Sequence, residues 1–422
     1  MFETLKSAFR VKEMRRKLLY LLAMIFVIRI GSQLPIPGVD GSVFKQWFKS
    51  NTGDAFNFFD AFTGGSFESM SVFALNITPY ITSSIIIQLL TIAIPALEEM
   101  HRDGEEGRKK ISQYTRIMSV ALAFLQGAGQ VYTIHSAFKN PNWYVYIVAL
   151  FTMVSGTIFI MWLGEKLTEI GIGNGASFII FANILSGLGT GVNSLITAAS
   201  GSAMGWVKIV VILAILFVVM VFVVLVSDGE RRIPVQYSNK LAGGSRMMVG
   251  GQTSFIPIKV NIAGVMSIIF AISILQFPYT INQLIQSTTL SKISNVLSTH
   301  HPVGAVLYVI LIFCFTFFYT SFAFNPVEVA ENMKKNGGFV PGIRPGKPTS
   351  DYIQKIVDRI SLIGAFAYSI IAMVPVVLNW VTGVNMGFGG TTLLIVTGVA
   401  LEIIKQLESQ LVKRHYTGFL NK

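Results

Sequence analysis

Apolar residues fall along this chain in long runs rather than with the alternation of half-buried strands. Ten runs approach membrane length, the first five at about Leu18 to Gln33, Asn76 to Pro95, Ile117 to Phe138, Trp143 to Leu163 and Ala176 to Ala199. The other five lie at Trp206 to Val226, Ile262 to Leu284, Pro302 to Phe324, Ile360 to Val381 and Gly390 to Ile404. Crossing a bilayer takes roughly 20 residues at about 1.5 Å each, so each run predicts a spanning helix, the last being the shortest. One stretch breaks the pattern. From Gly64 to Leu75 the chain is too short to cross, too apolar at Phe67, Met70, Val72 and Phe73 for a solvated loop, and too polar at Ser66, Glu68, Ser69 and Ser71 to face lipid. Such a piece leading into a span belongs in a protein-walled cavity, because irregular backbone survives at membrane depth only where protein or water satisfies its amides.

Composition agrees: of 422 residues, 52% are hydrophobic and only 13% charged, far from soluble usage. The fold class expected is therefore all-α, a polytopic membrane protein of ten transmembrane helices. The net charge of +12 first hints at nucleic acid, but its distribution decides otherwise. With ten spans, the termini and alternate loops share one face, which holds 27 of the 33 Lys and Arg; five lie opposite, and Arg29 sits inside span one. That is the positive-inside pattern, with both termini cytoplasmic. Arg29 is expected to snorkel. No cleavable signal peptide is read, since Gln33-Leu-Pro-Ile-Pro-Gly follows the first run where a small-residue cleavage site would stand. Lys6, Arg10, Lys12, Arg15, Arg16 and Lys17 read as an interfacial amphipathic helix, and the single cysteine, Cys314, as a small packing residue that excludes disulfides.

Two cytosolic excursions exceed what a linker needs. Residues 227–261 alternate around a Gly-rich turn, predicting a β-hairpin with a basic tip near Gly243-Gly-Ser-Arg. Residues 325–359 open on Asn325-Pro-Val-Glu, a helix start that should run to Gly337-Gly338, followed by a turn-rich platform carrying Arg344 and Lys347. The segment Glu98 to Lys110 reads as a solvated charged turn, and Gly171-Ile-Gly-Asn-Gly as a tight turn. A division near Gly201 to Gly205 leaves five spans on each side, residues 1–200 and 201–422. An odd number per half inverts one half against the other, a clamshell with a central seam.

Enzyme and carrier chemistry is missing from the sequence. Gly342-Ile-Arg-Pro-Gly-Lys-Pro has the wrong glycine spacing for a phosphate loop and puts Pro348 where the magnesium-binding hydroxyl should stand. No zinc-protease or serine-nucleophile motif occurs in the spans, and Glu165 and Glu402 lie near span ends rather than at mid-membrane. No cofactor and no metal are expected. An aliphatic seam has no code for a small polar solute, but it passes heterogeneous cargo and excludes water by dewetting. An inverted-repeat secondary transporter of a small solute is the alternative from another class.

Seven stretches, in order along the chain, then carry a resemblance. They are Arg29-Ile-Gly-Ser-Gln-Leu-Pro-Ile-Pro-Gly, Phe73-Ala-Leu-Asn-Ile-Thr-Pro-Tyr-Ile-Thr-Ser-Ser-Ile-Ile-Ile-Gln-Leu-Leu, Arg108-Lys-Lys-Ile-Ser-Gln-Tyr-Thr-Arg, Gly171-Ile-Gly-Asn-Gly, Glu230-Arg-Arg-Ile, Lys259-Val-Asn-Ile-Ala-Gly-Val and Asn336-Gly-Gly-Phe-Val-Pro-Gly-Ile-Arg-Pro-Gly. Together they resemble the SecY family of bacterial protein-translocation channels.

The resemblance implies an hourglass pore for unfolded polypeptide in the plasma membrane. Its pore ring would be Ile77, Ile81, Ile180, Ile184, Ile269 and Ile395. Spacing alone puts Ile77 with Ile81 and Ile180 with Ile184 on one helix face, which ordinary helix packing accommodates equally. Residues 64–75 would be a plug beginning Gly64, Gly65, Ser66, Phe67, Glu68, Ser69, Met70 and Ser71, with a fixed re-entrant piece as the alternative. Thr78, Gln126 and Asn282 would lie at a lateral gate between spans two and three on one side and seven and eight on the other, or serve as plain helix-to-helix contacts. Arg231, Arg232, Arg344 and Lys347 would dock the ribosome or the motor ATPase SecA; for Arg344 a topology-setting surface charge is the alternative. Further partners implied are small membrane subunits like SecE and SecG, unfolded preproteins with their signal peptides, and lipid.

Overall fold

In the computed structural model the apolar runs become helices whose ends follow the punctuation around them. The structure describes residues 11–50, 60, 63–134, 138, 142–170, 173–199, 203–237, 253–260, 262–263, 265–285, 287–299, 301–382 and 390–420. The first half holds α1 (Lys12–Gly31), α2 (Gly41–Ser50), α3 (Thr78–Ala93), α4 (Pro95–Arg102), α5 (Glu105–Thr133), α6 (Trp143–Ile170) and α7 (Gly175–Ala199). The second holds α8 (Ala203–Asp228), β1 (Glu230–Tyr237), β2 (Thr253–Lys259), α9 (Met266–Ile285), α10 (Thr288–Leu297) and α11 (Pro302–Ala323). It ends with α12 (Pro326–Lys335), β3 (Gly338–Phe339), α13 (Lys347–Thr382) and α14 (Gly390–Leu420).

Local chemistry explains the boundaries. Pro302 and Pro326 open their helices where a missing N–H leaves nothing unpaired, and the Asn325 side chain accepts from the N–H groups of Val327 and Glu328 at 3.2 and 3.4 Å. That helix stops before Gly337, whose φ of +70° is left-handed, as the glycine pair predicts. At Ile94 the chain turns by 107° between α3 and α4, because Pro95 cannot donate to the preceding turn.

Among the described residues, four helices are long and apolar enough to cross a membrane singly, and the bent pair α3 and α4 makes a fifth. α7 and α9 carry shorter apolar cores, Gly175–Gly187 and Met266–Pro278. α8 leaves Phe217, Val218 and Leu225 about two-thirds exposed (66%, 65% and 65%), a surface suited to hydrocarbon and not to water.

Several expectations need correction. The helical fold also contains a three-stranded antiparallel sheet, ordered β2-β1-β3. Its hairpin, pairing Ile233 with Ile256, was expected, while the third strand, pairing Gln236 with Phe339, was not. The hairpin's basic tip, Lys6, Arg10 and part of the division between halves lie outside the described residues. Instead of a separate interfacial helix, Lys12, Arg15, Arg16 and Lys17 form the first turns of α1 itself. The charged turn after span two is largely helical, broken only at Asp103 and Gly104, and its α4 stacks His101 on Phe322 at 4.6 Å. α13 begins 13 residues before its expected span, in a helix of 36 residues, so Lys347 stands on a helix and not on the platform. Cys314 is exposed rather than packed.

The sheet and the start of α13 make one packed unit. Ile233 and Val235 alternate inward from β1 onto Ile258, Met333, Val340, Ile353 and Ile356, joining the two excursions through a shared apolar core. Ile353 is fully buried there. Replacing Ile353 with Ala should cost about 2–5 kcal/mol by the usual penalty for a core cavity. Limited proteolysis should then cut between 230 and 260 faster, while the membrane helices remain protected.

Candidate functional site

The site is built from the segment that interrupts the helical pattern. Residues 64–77 form successive turns rather than the short helix their apolar spacing allows. Gly64 and Gly65 take φ of +68° and +82°, and Met70 and Asn76 sit at +43° and +50°, conformations a helix cannot contain. With no continuous helical ladder, the backbone is satisfied partly by its own turns, Met70 N–H donating to the Phe67 carbonyl at 2.9 Å and Ser71 N–H to the Ser66 carbonyl at 3.0 Å, and partly from outside. The chain after span one does this: Ile36 N–H donates to the Met70 carbonyl at 2.9 Å and Val72 N–H to the Leu34 carbonyl at 2.9 Å, an antiparallel bridge through Pro35 and Ser71. The Asn76 side chain closes the segment on itself. Its Oδ1 accepts from Ile77 N–H at 2.7 Å while its Nδ2 donates to the Thr63 carbonyl at 3.3 Å.

The start of the segment is held as tightly. Arg29 Nη1 donates to the Gly64 carbonyl at 3.3 Å, so this arginine reaches the hinge glycine instead of snorkelling. A Cβ at Gly64 would come within 2.8 Å of the Asn183 carbonyl oxygen, and one at Gly156 within 2.1 Å of the Val72 carbonyl oxygen. Glycine there lets the segment lie directly against the backbones of α6 and α7. Ser66, Phe67, Met70 and Ser71 are buried, Gly65, Glu68 and Ser69 partly so, and Phe67 meets Phe44 edge-on at 5.8 Å.

Beneath the segment the six isoleucines come together. Ile77 and Ile81 from the head of α3, Ile180 and Ile184 from α7, Ile269 from α9 and Ile395 from α14 are all buried in one apolar cluster drawn from both halves. Spacing alone left ordinary packing open for them; the tertiary structure puts all six in contact with one core.

The other expected residues fare differently. α9 packs along α5 and touches α3, one of the places where helices before and after residue 200 meet. There Thr78 Oγ1 and Asn282 Oδ1 are buried without hydrogen-bond partners among the described residues, and Gln126 is half-buried, so no polar bridge joins Thr78 to Asn282. On the sheet and α13 unit Arg231 and Arg232 project outward from β1, Arg232 pairing with Glu230 at 2.7 Å. Arg344 and Lys347 are also exposed, and the Arg344 carbonyl accepts from the Thr349 hydroxyl at 2.8 Å. Both pairs of cations thus stand on one body. Sequence reasoning missed Asp60, Asn76 and Asn183; only the asparagine just before Ile77, a residue type tolerant of left-handed backbone, carried a signal.

Comparisons with known proteins agree with this architecture. A model described as SecY matches residues 71–404. The protein translocase subunit SecY of Streptomyces galbus is 41% identical over the full length of both chains, and that of Escherichia coli K12 is 40% identical over 97% of this chain and 94% of its own. The structure of a protein conducting channel superposes with a TM-score of 0.66 at 17% identity, covering 94% of this chain and 92% of that one. Sec61 in the canine ribosome-channel complex from the endoplasmic reticulum gives 0.64 at 18% identity over 94% and 92%. At these identities the structural likeness speaks to the fold alone.

Asp60 gives the site a pH dependence. Its Oδ1 accepts from Glu68 N–H at 2.8 Å and its carbonyl from Gly65 N–H at 3.0 Å. Burial pushes its carboxyl from 3.8 up to about 6; the Glu68 charge adds to this, while the Glu68 N–H and Lys45 oppose it. A folded pKa above the unfolded one means that this stability is fully present below pH 3.8 and is lost as pH rises through about 6. Asp60→Asn keeps an acceptor and removes the charge. The variant should melt higher than the parent in detergent at about pH 7.5, and the gap should narrow as pH falls through about 6 and close below 3.8.

Proposed function

We propose, because this chain belongs to the SecY family, that it is the central subunit of a protein-conducting channel that passes unfolded polypeptides across the membrane and releases apolar segments sideways into lipid. It is a conduit and not itself an enzyme. The observation that carries the reading is the throat: four helices from both halves converge on six buried isoleucines under a non-helical cover. An aliphatic constriction makes no specific hydrogen bonds, so it accepts any extended chain and stays dry when empty. The alternative of a small-solute transporter has no support among relatives named as protein translocase subunits.

On this reading residues 1–200 and 201–422 are two inverted halves of five spans, with both termini cytoplasmic by the positive-inside bias. Residues 64–75 act as the plug, and Ile77, Ile81, Ile180, Ile184, Ile269 and Ile395 as the pore ring. Thr78, Gln126 and Asn282 lie along the lateral gate, a role supported by the α5 and α9 seam on which two of them stand. With no phosphate-binding motor motif in its sequence, the channel depends on partners for energy. The sheet and α13 unit, carrying Arg231, Arg232, Arg344 and Lys347, docks the ribosome or a motor like SecA, and small subunits like SecE and SecG cover part of the exposed helical surface. Guanidinium forks suit phosphate and carboxylate alike.

A photoreactive residue at Ile184 should capture a secretory chain arrested in transit. A chain that crosslinks only to residues outside the throat would overturn the channel reading. Ile81→Asn or Ile395→Asn should wet the constriction and raise resting ion conductance several-fold in reconstituted channels, with looser demand on the signal sequence. Arg344→Glu should impair motor-driven export far more than ribosome-coupled insertion; equal loss of both would reduce Arg344 to a structural residue.

A further inference from the structure

One buried polar group in the throat is used by nothing described so far. Asn183 lies on α7 one residue before Ile184, at the edge of the face formed by Ile180 and Ile184, and is wholly excluded from solvent. Neither Nδ2 nor Oδ1 has a hydrogen-bond partner among the described residues. Its own backbone is covered by the hinge of the cover, since Gly64 approaches the Asn183 carbonyl so closely that a Cβ there would stand 2.8 Å away. The cover carries a second unmet group, the fully buried Ser66 Oγ. An amide sealed among aliphatics with neither donor nor acceptor engaged is costly, and ordinary packing would place a leucine there.

We infer that Asn183 is a hydrogen-bonding station for the backbone of the passing polypeptide, masked by the Gly64 hinge in the closed channel. A carboxamide offers one acceptor and a donor group, the complement of a peptide unit, and so reads backbone without reading sequence. Displacing the cover brings either water or the substrate chain to those atoms. The closed state alone bears the unmet amide, so Asn183 lowers the cost of opening as well as greeting the substrate. This rests on the channel reading above.

Two measurements test it. Asn183→Leu, with the same branching at Cγ but bulkier, removes the unmet amide and should slow the start of translocation for a preprotein with a weak signal sequence by roughly tenfold, the scale of one unsatisfied buried group. Its resting ion conductance should fall and its melting temperature in detergent should rise. Asn183→Ala, which also lacks the amide and adds no bulk, should slow the same step if the leucine variant fails to assemble. Wild-type onset in whichever of these variants assembles would overturn the inference.

Proximity is read separately. In a Cys314→Ala background, Asn183→Cys and Ile184→Cys should each form a disulfide with single cysteines scanned along an arrested preprotein. Capture at Ile184→Cys but never at Asn183→Cys would overturn the inference and leave the channel reading standing. Capture at neither would overturn both.

Discussion

A stretch of backbone without a continuous helical ladder, set among transmembrane helices, constrains everything around it. In residues 64–77 the left-handed turns at Gly64, Gly65, Met70 and Asn76 rule out the internal ladder, so each peptide group must find a partner nearby. The partners are specific: the strand-like chain at Leu34 to Ile36, the Asn76 side chain reaching back to Thr63, and Arg29 on the Gly64 carbonyl. Glycines at 64 and 156 allow the contact to be made backbone to backbone. On the proposed reading, a cover held by a few directional bonds around small residues leaves its seat without unfolding the helices that frame it.

The throat below obeys an opposite rule. It is packed from branched aliphatic side chains whose attraction is non-directional, so no single contact specifies it and, on the proposed reading, none resists a passing chain. The two layers divide the work. Directional hydrogen bonds give the cover one position, and on the proposed reading apolar packing gives the constriction tolerance for any cargo. Asn183 lies where the layers meet, which is why its unmet amide bears on both.

The sheet shows how an irregular connection becomes a rigid body. Two strands alone are marginal, but the pairing of β1 with β3 and the core built on Ile353 tie residues 227–261 to 325–359. The exposed arginines of both excursions are thereby fixed relative to each other. A docking surface needs that rigidity more than it needs any one charge.

Much was legible without coordinates. Apolar runs predicted the helices, the hairpin followed from alternation, Asn325 and Gly337 bounded α12, and the misfit of residues 64–75 marked the site, because each depends on neighbours in sequence. What stayed hidden depends on distance in space: the third strand, the early start of α13, the reach of Arg29 to Gly64, and the burial of Asn183 beneath a hinge more than a hundred positions away. The chain alone determined that this is a helical membrane protein with one anomalous half-polar segment, since local periodicity and transfer free energy decide that much. Only the tertiary structure decided which isoleucines share a core and which polar atoms go unpaired, because packing and hydrogen-bond satisfaction are properties of the assembled neighbourhood.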